Sequence, residues 1–299
     1  MTVPLRIGTR GSALALAQAR LVARMLGGAE LVPIVTSGDR GDGAQDKSRW
    51  VDLIETALQD GEVDLAVHSA KDVPALLGEG LTLVGAPPRA DARDALCGAA
   101  SLDALAPGAL VGTSSLRRRA ALLALRPDLE VVEMRGNVDT RLRKLAEGAT
   151  DAIVLARAGL DRLGRGELAD AVLEIDAMVP APGQGTLALE GRAEDGRARG
   201  AAQRIADDAT MACLECERAL VDALDATCHT PVGAYARLRA DVMEVHTFVG
   251  LPDGSEWARD ELSGAVTDPK RLGRECAERL LAAGAGDLLR RAEAVSAGA

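Results

Sequence analysis

Residues 67–74 read VHSAKDVP and place an imidazole, a hydroxyl, an amine and a carboxylate directly after an apolar run. The apolar run is typical of a buried strand, and the proline prevents its simple continuation. Asp72 beside Lys71 can stay ionised, where it would stabilise a developing cation or transfer protons. His68 alone is more typical of a hydrogen-bonded structural histidine than of a base, and Asp72 could instead cap the turn. The segment predicts a polar strand end with Asp72 as the candidate catalytic group.

Two Gly-Thr turns, each followed by serine at the predicted start of a helix, form a second group of candidates. They read RIGTRGS at 6–12 and VGTSS at 111–115. Serine there can cap a helix, whose first N–H groups and dipole favour an anion. Arg10, Arg117 and Arg118 lie beside these caps, where a cation opposes the dipole and a bound anion would relieve the conflict. An ordinary N-cap remains the alternative for each serine taken singly.

A third arginine-bearing turn, EMRGNVDTRLRKL at 133–145, also follows a predicted strand and opens a helix. It contributes Arg135 and Arg141. The carboxyl ends of strands are where α/β sheets bind ligands, and guanidinium groups suit carboxylates and phosphates. No G-x-x-x-x-G-K-[ST] motif is present, so organic carboxylates are favoured over a nucleoside triphosphate. Solvated surface arginines remain the alternative for any single member.

The composition restricts the classes of protein to which the chain could belong. It has 299 residues, of which 47% are hydrophobic and 27% charged, and its net charge is −10. This length can bury several cores, so we expect a soluble globular protein of two or three domains. The acidic balance argues against a general nucleic-acid binder. The N-terminal residues do not predict a signal peptide and no apolar run is long enough for a bilayer, so we expect a cytoplasmic protein.

The elements that position these residues alternate between strand-like and helix-like segments, which predicts βαβ units and mostly parallel sheets. Near residue 100 the alternation begins again, and ALQDGEVDLAV at 57–67 is echoed by KLAEGATDAIV at 144–154. We therefore expect a second domain that repeats the topology of the first. After a Pro/Gly crossover and a strand at 179–190, a helix, alternating strands with an Asp-Gly turn and a helical tail predict a small α+β domain.

The five cysteines do not form the even, closely spaced set of a disulfide framework, which favours a reducing compartment. Cys213 and Cys216 form a C-x-x-C pair within a helical stretch. No second pair follows at zinc spacing, so we expect no metal. Cys228 lies in the loop ATCHTPVGAYA, where its thiol could be a nucleophile, a covalent anchor or a small buried hydrophobe.

Taken together, these segments resemble the porphobilinogen deaminases, also called hydroxymethylbilane synthases. The resemblance covers nearly the whole chain, and its most specific motifs are HSAKDVP and TSSLRR. The matching segments follow in the family's order, as RIGTRGSALALAQ, VDLAVHSAKDVP, VGTSSLRRRAALL, MRGNVDTRLRKL, DAIVLARAGLDRLG, PAPGQG and CHTPVGAYA.

The resemblance implies an α/β fold with two βα domains like those of periplasmic binding proteins and a small C-terminal α+β domain. We expect domain 1, the active-site lobe, at 1–85 with 186–206, the arginine-rich domain 2 at 86–185, and domain 3, which carries the anchoring cysteine, at 207–299. The family condenses four porphobilinogen molecules head to tail into linear hydroxymethylbilane, with release of four ammonia, in tetrapyrrole (heme) biosynthesis. We expect a cytoplasmic monomer with a small-molecule substrate and neither nucleic-acid nor membrane partners.

The same resemblance implies roles for individual residues. The family carries a dipyrromethane cofactor in thioether linkage to a cysteine that corresponds to Cys228, and its central catalytic carboxylate corresponds to Asp72. The other residues expected at the cofactor are Lys71, Ser69, Thr113, Ser115, Arg117, Arg118, Arg135 and Gln184. The residues expected at the carboxylates of the substrate are Arg10, Ser12, Arg141, Arg162 and Lys47.

The chain departs from the family pattern at two places. The stretch over the active site is rich in glycine in the family but reads AQDKSRW at 44–50 here, keeping Lys47 and Trp50. Because glycine supplies backbone freedom, this stretch is expected to move differently. Before the anchoring cysteine, where the family usually has glycine, the chain reads Asp225-Ala226-Thr227, so we expect the geometry of this loop to differ.

Two other classes of protein are compatible with parts of the pattern. A non-catalytic two-lobed binding protein for a small dicarboxylate would use the same arginines and would need neither Cys228 nor Asp72. A zinc-dependent transferase would use Cys213, Cys216 and Cys228 as ligands.

Overall fold

The computed structural model describes residues 3–36, 51–226 and 230–297. The chain divides into two compact units. Unit 1 comprises Met1–Ala90 with Thr186–Met211, and unit 2 comprises Asp91–Gly185 with Ala212–Ala299.

The secondary structure alternates between strands and helices over both units. The strands are β1 (Arg6–Arg10), β2 (Glu30–Ile34), β3 (Leu65–Ser69), β4 (Leu81–Gly85), β5 (Asp94–Cys97), β6 (Leu110–Gly112), β7 (Glu130–Val132), β8 (Ala152–Ala156), β9 (Ala171–Leu173), β10 (Leu187–Arg192), β11 (Val232–Arg239), β12 (Val242–Gly250) and β13 (Trp257–Ala265). The α-helices are α1 (Ala13–Met25), α2 (Asp52–Gln59), α3 (Leu116–Leu125), α4 (Val138–Ala146), α5 (Arg157–Arg162), α6 (Gly196–Gln203), α7 (Asp208–Ala223), α8 (Pro269–Ala282) and α9 (Ala285–Ala297). No helix in the described part of the chain is long and apolar enough to cross a membrane.

Two five-stranded sheets share one topology. Sheet 1, in unit 1, has the order β2-β1-β3-β10-β4, and sheet 2, in unit 2, has the order β7-β6-β8-β5-β9. In sheet 1, β1 is parallel to β2 and β3, whereas β10 is antiparallel to β3 and β4. In sheet 2, β6 is parallel to β7 and β8, whereas β5 is antiparallel to β8 and β9. The predicted repeat of topology is confirmed.

Sheet 3 is the antiparallel sheet β11-β12-β13, against which α8 and α9 pack. Its strands β12 and β13 are joined through Asp253 and Gly254, and Gly254 has the positive φ of 72° that favours glycine. This is the predicted hairpin. Buried residues of α7, α8 and the sheet, among them Leu220, Val245 and Leu280, form its core. The predicted α/β fold with a small C-terminal α+β region is confirmed, and the boundaries of the three domains stay a prediction.

The strand ends and helix starts meet at one edge of each repeated sheet, which we call its carboxyl edge. In sheet 1, Ser12 caps α1 by accepting a hydrogen bond from the backbone N–H of Ala15 at 3.2 Å. In sheet 2, Ser115 caps α3 by accepting one from the N–H of Arg118 at 3.4 Å. The antiparallel strands β10 and β5 begin at these same edges, since Leu187 pairs with the last residue of β3 and Asp94 with the last residue of β8.

Candidate functional site

A pocket opens at the carboxyl edge of sheet 1. Its walls combine charged groups, hydroxyls and an amide with a few apolar side chains. It is lined by Arg10, Ser12, Leu14, Ala15, Gln18, Val51, Val67, His68, Ser69 and Asp72. The fold therefore brings together four residues predicted from the sequence, namely Arg10, Ser12, Ser69 and Asp72.

Asp72 is positioned by the turn that ends β3. Residues Ala70–Asp72 form a short 3-10 turn directly after the strand. The N–H of Ala70 donates to the carbonyl of Thr186 at 3.0 Å, which ties the turn to the chain entering β10. The carboxylate is half-buried in the pocket wall. A carboxylate in this position can stabilise a cation in the pocket or accept a proton from it.

The hydroxyl of Ser69 is oriented by an amide that sequence reasoning did not single out. Gln18 Nε2 donates to Ser69 Oγ at 2.9 Å, and Gln18 is only 3% exposed. Gln18 lies on the face of α1 that packs against the sheet, where a buried polar group needs a partner. The sequence signal was a polar residue at a helix position that periodicity assigns to the core.

The side chain of His68, on β3, lies against a carboxylate from the neighbouring strand β10. Its Nε2 lies 2.9 Å from Glu190 Oε2, and the two side chains are 5% and 0% exposed. Burial raises the pKa of the nearby Glu55, and the charge of Glu190 raises it further. The pairing agrees with the structural interpretation of His68, although the imidazole also lines the pocket.

The carboxyl edge of sheet 2 carries a buried group of charges. Asp94 is fully buried, and its carboxylate lies 2.8 Å from both Arg117 Nη1 and Arg118 Nη2. Gln184 Nε2 donates to the same carboxylate at 2.8 Å. Burial alone would raise the pKa of Asp94, but the charges of the two arginines hold it well below its usual range.

This group changes the interpretation of Arg117 and Arg118. From the sequence, a bound anion was expected beside these two residues, whereas the structure supplies one from within the chain as Asp94. The two arginines are 4% and 5% exposed and are therefore not solvated surface residues. Because two guanidinium groups face one carboxylate, one positive charge of the group stays uncompensated by Asp94.

Two further arginines of unit 2 lie in poorly hydrated surroundings. Burial lowers the pKa of Arg141 to about 10, and the like charge of Arg118 contributes. Burial likewise lowers the pKa of Arg162 to about 10. Arg141 Nη2 donates to Ser114 Oγ at 3.0 Å, and Arg162 Nη2 donates to the carbonyl of Gly185 at 2.6 Å. A bound carboxylate would stabilise both charges.

The remaining predicted residues are distributed as follows. Thr113 is buried, and its Oγ1 accepts a hydrogen bond from the N–H of Ser115 at 3.2 Å. Arg135 is exposed and pairs with Glu133 at 2.7 Å. Lys71 is half-buried next to Asp72. Lys47 and Trp50, in the stretch where the chain departs from the family, lie outside the described residues, as do Thr227 and Cys228.

The two repeated edges are chemically different. Strand pairing aligns Leu65 of β3 with Ala152 of β8, because these residues pair with equivalent positions of β1 and β6. Asp72 comes seven residues after Leu65, and the residue seven after Ala152 is Gly159, so unit 2 has a glycine at the position equivalent to Asp72. Sheet 1 therefore provides the carboxylate, and sheet 2 provides the buried arginines.

The cysteines of the C-x-x-C pair lie in the core of sheet 3. Cys213 and Cys216 are buried together with Cys276. Burial raises the pKa of Cys216 far above its usual value and that of Cys276 to about 12. Among the described residues, no three His, Cys, Asp or Glu side chains are grouped as a metal site requires.

Fold and site define an α/β enzyme that has a carboxylate-centred pocket at one carboxyl edge and an arginine-rich edge suited to organic carboxylates. Residues 5–200 match the family described as "Porphobilinogen deaminase, dipyromethane cofactor binding domain", and residues 211–282 match "Porphobilinogen deaminase, C-terminal domain". The chain belongs to the porphobilinogen deaminase family.

Full-length relatives agree with this assignment. The chain is 44% identical over 289 residues to a porphobilinogen deaminase of Nitrobacter hamburgensis, covering 92% of each chain. It is 45% identical over 298 residues to a porphobilinogen deaminase of Roseiflexus castenholzii, covering 95% of this chain and 98% of the other.

The comparison with solved structures finds more distant similarities. One is an ABC transporter periplasmic substrate-binding protein from Coxiella burnetii, at 15% identity and a TM-score of 0.42, covering 69% of this chain and 94% of that one. Another is a putative methionine-binding lipoprotein from Bacillus subtilis, at 14% identity and a TM-score of 0.41, covering 67% and 89%.

Proposed function

We propose that the chain condenses four porphobilinogen molecules head to tail, with release of four ammonia, and that one water then frees the product as linear hydroxymethylbilane, as a transferase of tetrapyrrole (heme) biosynthesis. One observation carries the proposal: Asp72 shares a pocket with Arg10, Ser12 and Ser69 in a chain of the porphobilinogen deaminase family. A dicarboxylate-binding protein would have use for the arginine and the serines. It would have no use for a carboxylate aimed at the same ligand.

The chemistry assigned to Asp72 follows from the charge that the reaction develops. Porphobilinogen has two carboxylates and an aminomethyl group on a pyrrole ring. When ammonia leaves, the ring carries a delocalised positive charge, and an ionised carboxylate beside it lowers the barrier. The ring carbon that forms the new bond then loses a proton, for which Asp72 is the proposed acceptor. Arg10 and Ser12 hold the carboxylates of the substrate in the same pocket.

The residues of unit 2 fit a ligand rich in carboxylates. Arg117 and Arg118 retain one positive charge beyond Asp94, and burial lowers the pKa of Arg141 and of Arg162, so that a bound carboxylate would stabilise both charges. Dipyrromethane attached to Cys228 would bring such carboxylates and would supply the pyrrole carbon to which the first substrate is joined. The residues that would hold it are Ser69, Lys71, Thr113, Ser115, Arg117, Arg118, Arg135 and Gln184. Those that would hold substrate are Arg10, Ser12, Lys47, Arg141 and Arg162.

The organisation and setting of the protein belong to the same proposal. We infer a cytoplasmic monomer of three domains, at 1–85 with 186–206, 86–185 and 207–299. The division is supported by the three sheets, each of which carries a hydrophobic cluster. The reducing compartment is supported by the buried cysteines in the core of sheet 3, which have high thiol pKa values.

The proposal is tested by the stoichiometry of turnover. Purified protein is incubated with porphobilinogen, and substrate consumption, ammonia and linear tetrapyrrole are measured together. One ammonia for each porphobilinogen consumed supports the condensation. Binding of porphobilinogen without ammonia would instead identify a binding protein, and loss of turnover with a metal chelator would identify a zinc-dependent transferase.

A further inference from the structure

We propose that Asp94 is a positioning residue of the carboxylate-binding site, acting through Arg117, Arg118 and Gln184. This inference rests on the proposed function and adds to it a residue that neither the family motifs nor the pocket in unit 1 includes. Three residues predicted to hold the cofactor converge on this one carboxylate, each at 2.8 Å. The question is whether the group serves the fold or the ligand.

The repeat within the chain answers part of that question. Asp94 begins β5 as Leu187 begins β10, and each pairs with the last residue of the neighbouring strand. Arg117 and Arg118 are the second and third residues of α3, where α1 has Leu14 and Ala15. In unit 1 the three equivalent positions are therefore occupied by Leu187, Leu14 and Ala15. The topology alone does not require charges at these three positions.

The same comparison shows on which side of the fold the two helix positions lie. In unit 1, Leu14 and Ala15 line the pocket that contains Asp72. Their counterparts Arg117 and Arg118 therefore lie on the ligand-binding side of α3. Unit 2 has charged residues where unit 1 has apolar ones, at the place in the repeat where a ligand would be contacted.

The hydrogen bonds within the chain do not use every N–H donor of Arg117 and Arg118. Arg118 uses Nε and Nη2 on Asp94 and donates from Nη1 to the carbonyl of Val154. Arg117 donates from Nη1 to the carbonyl of Val179 and contacts Asp94 with the same nitrogen. Its Nε is buried and has no hydrogen-bond partner among the described residues. Each guanidinium has five N–H donors, so Arg117 in particular keeps donors for a carboxylate of a ligand.

Asp94 also fixes the third predicted contact. Gln184 Nε2 donates to Asp94 Oδ1 at 2.8 Å and to the carbonyl of Ala92 at 2.7 Å. Gln184 is 1% exposed, so its amide is held by this part of the chain. Loss of the carboxylate would release two guanidinium groups and one amide at once.

The test compares two matched aspartates in the full-length protein. Asp94→Asn keeps the shape of the side chain and removes its charge. Asp64→Asn is the control, because Asp64 is also buried at the start of a strand and also binds an arginine, Arg6, at 2.9 Å. It lies before β3, at the edge opposite the pocket. The readouts are the fraction of purified chain that carries the dipyrromethane adduct, by intact mass, and turnover per loaded chain.

We expect Asp94→Asn to lower the loaded fraction about tenfold or more, because misplaced binding groups lose much of their effect. We expect turnover per loaded chain to fall as well but by a smaller factor than loading, since Asp72 is untouched while the carboxylate-binding groups are misplaced. Asp64→Asn loads normally, and Asp94→Glu, which keeps the charge, recovers part of the loading. A folded Asp94→Asn protein that loads like wild type would overturn the inference. Wild-type protein with neither adduct nor ammonia release would instead defeat the proposed function.

A second variant decides the matter if Asp94→Asn does not fold. The triple variant Asp94→Leu, Arg117→Leu, Arg118→Ala copies the residues that sheet 1 has at these positions. We expect it to fold, as judged by its thermal unfolding, and to carry no adduct. A triple variant that fails to fold would show that the charges serve the structure, and one that folds and loads would show that they are dispensable. Either result contradicts the inference.

Discussion

The imidazole of His68 and the carboxylate of Glu190 lie 2.9 Å apart, and both side chains are almost completely buried. Removing one partner of a close contact between buried polar groups leaves the other unsatisfied, at a cost of about 1–3 kcal/mol. Glu190→Gln is therefore expected to lower the free energy of unfolding by about that amount, measured by denaturant titration. Glu174→Gln, at a 72% exposed partner of Arg93, is the control and should change it by less than about 1 kcal/mol. Equal effects would contradict the prediction.

Asp72→Asn tests the role of the carboxylate in the pocket. The substitution keeps the size of the side chain but removes the charge that stabilises the cation and the site that accepts the proton. We expect the rate of ammonia release to fall by about 100-fold or more while the protein stays folded and keeps its adduct. Asp60→Asn, at an exposed position after α2, should leave the rate unchanged. Near-normal turnover of a folded Asp72→Asn protein would exclude this role.

Gln18→Ala tests whether the amide orients Ser69. The hydrogen bond between Gln18 and Ser69 is 2.9 Å long and part-buried. Because Ser69 lines one pocket with the proposed substrate residues Arg10 and Ser12, loss of a hydrogen bond worth about 1 kcal/mol would raise the Michaelis constant for porphobilinogen about fivefold with little change in maximal rate. Gln59→Ala removes a comparable amide that bonds the carbonyl of Glu79 away from the pocket, and should leave both constants as they are. If the two variants behave alike, Gln18 has no special role.

Asp64 is expected to contribute to stability in a pH-dependent way. Burial alone would raise the pKa of Asp64, but hydrogen bonds from Arg6 hold it below its ordinary value. A lowered folded-state pKa contributes stability that is complete above the unfolded pKa of about 4 and is lost as the pH falls below it. In Asp64→Asn, the free energy of unfolding should therefore decline less steeply below about pH 4 than in wild type. An unchanged pH profile would show that Asp64 is not linked to acid unfolding.

The parallel strands and their carboxyl ends could be predicted from the sequence, because the chemistry follows each strand directly along the chain. Asp72 and Ser69 come immediately after β3, and Ser12 and Ser115 cap the helices that follow β1 and β6. Local pattern was therefore sufficient to place these residues at one edge of a sheet.

The partners supplied by antiparallel strands could not be predicted in this way. Glu190 lies on β10, more than a hundred residues after His68, and Asp94 opens β5 well before the arginines that it binds. A residue at the start of a strand reaches the carboxyl edge only if that strand runs antiparallel to its neighbours. That direction is set by sheet pairing, which no local spacing reveals. The burial of Arg117 and Arg118 was missed for the same reason.

The central claim is that the chain carries a dipyrromethane tethered to Cys228. Intact mass spectrometry of freshly purified wild-type protein and of Cys228→Ser tests it most directly. The wild-type chain is expected to weigh more than its sequence by one dipyrromethane, and Cys228→Ser is expected to weigh what its sequence requires. A wild-type chain at its bare sequence mass, or an adduct that persists in Cys228→Ser, would contradict it.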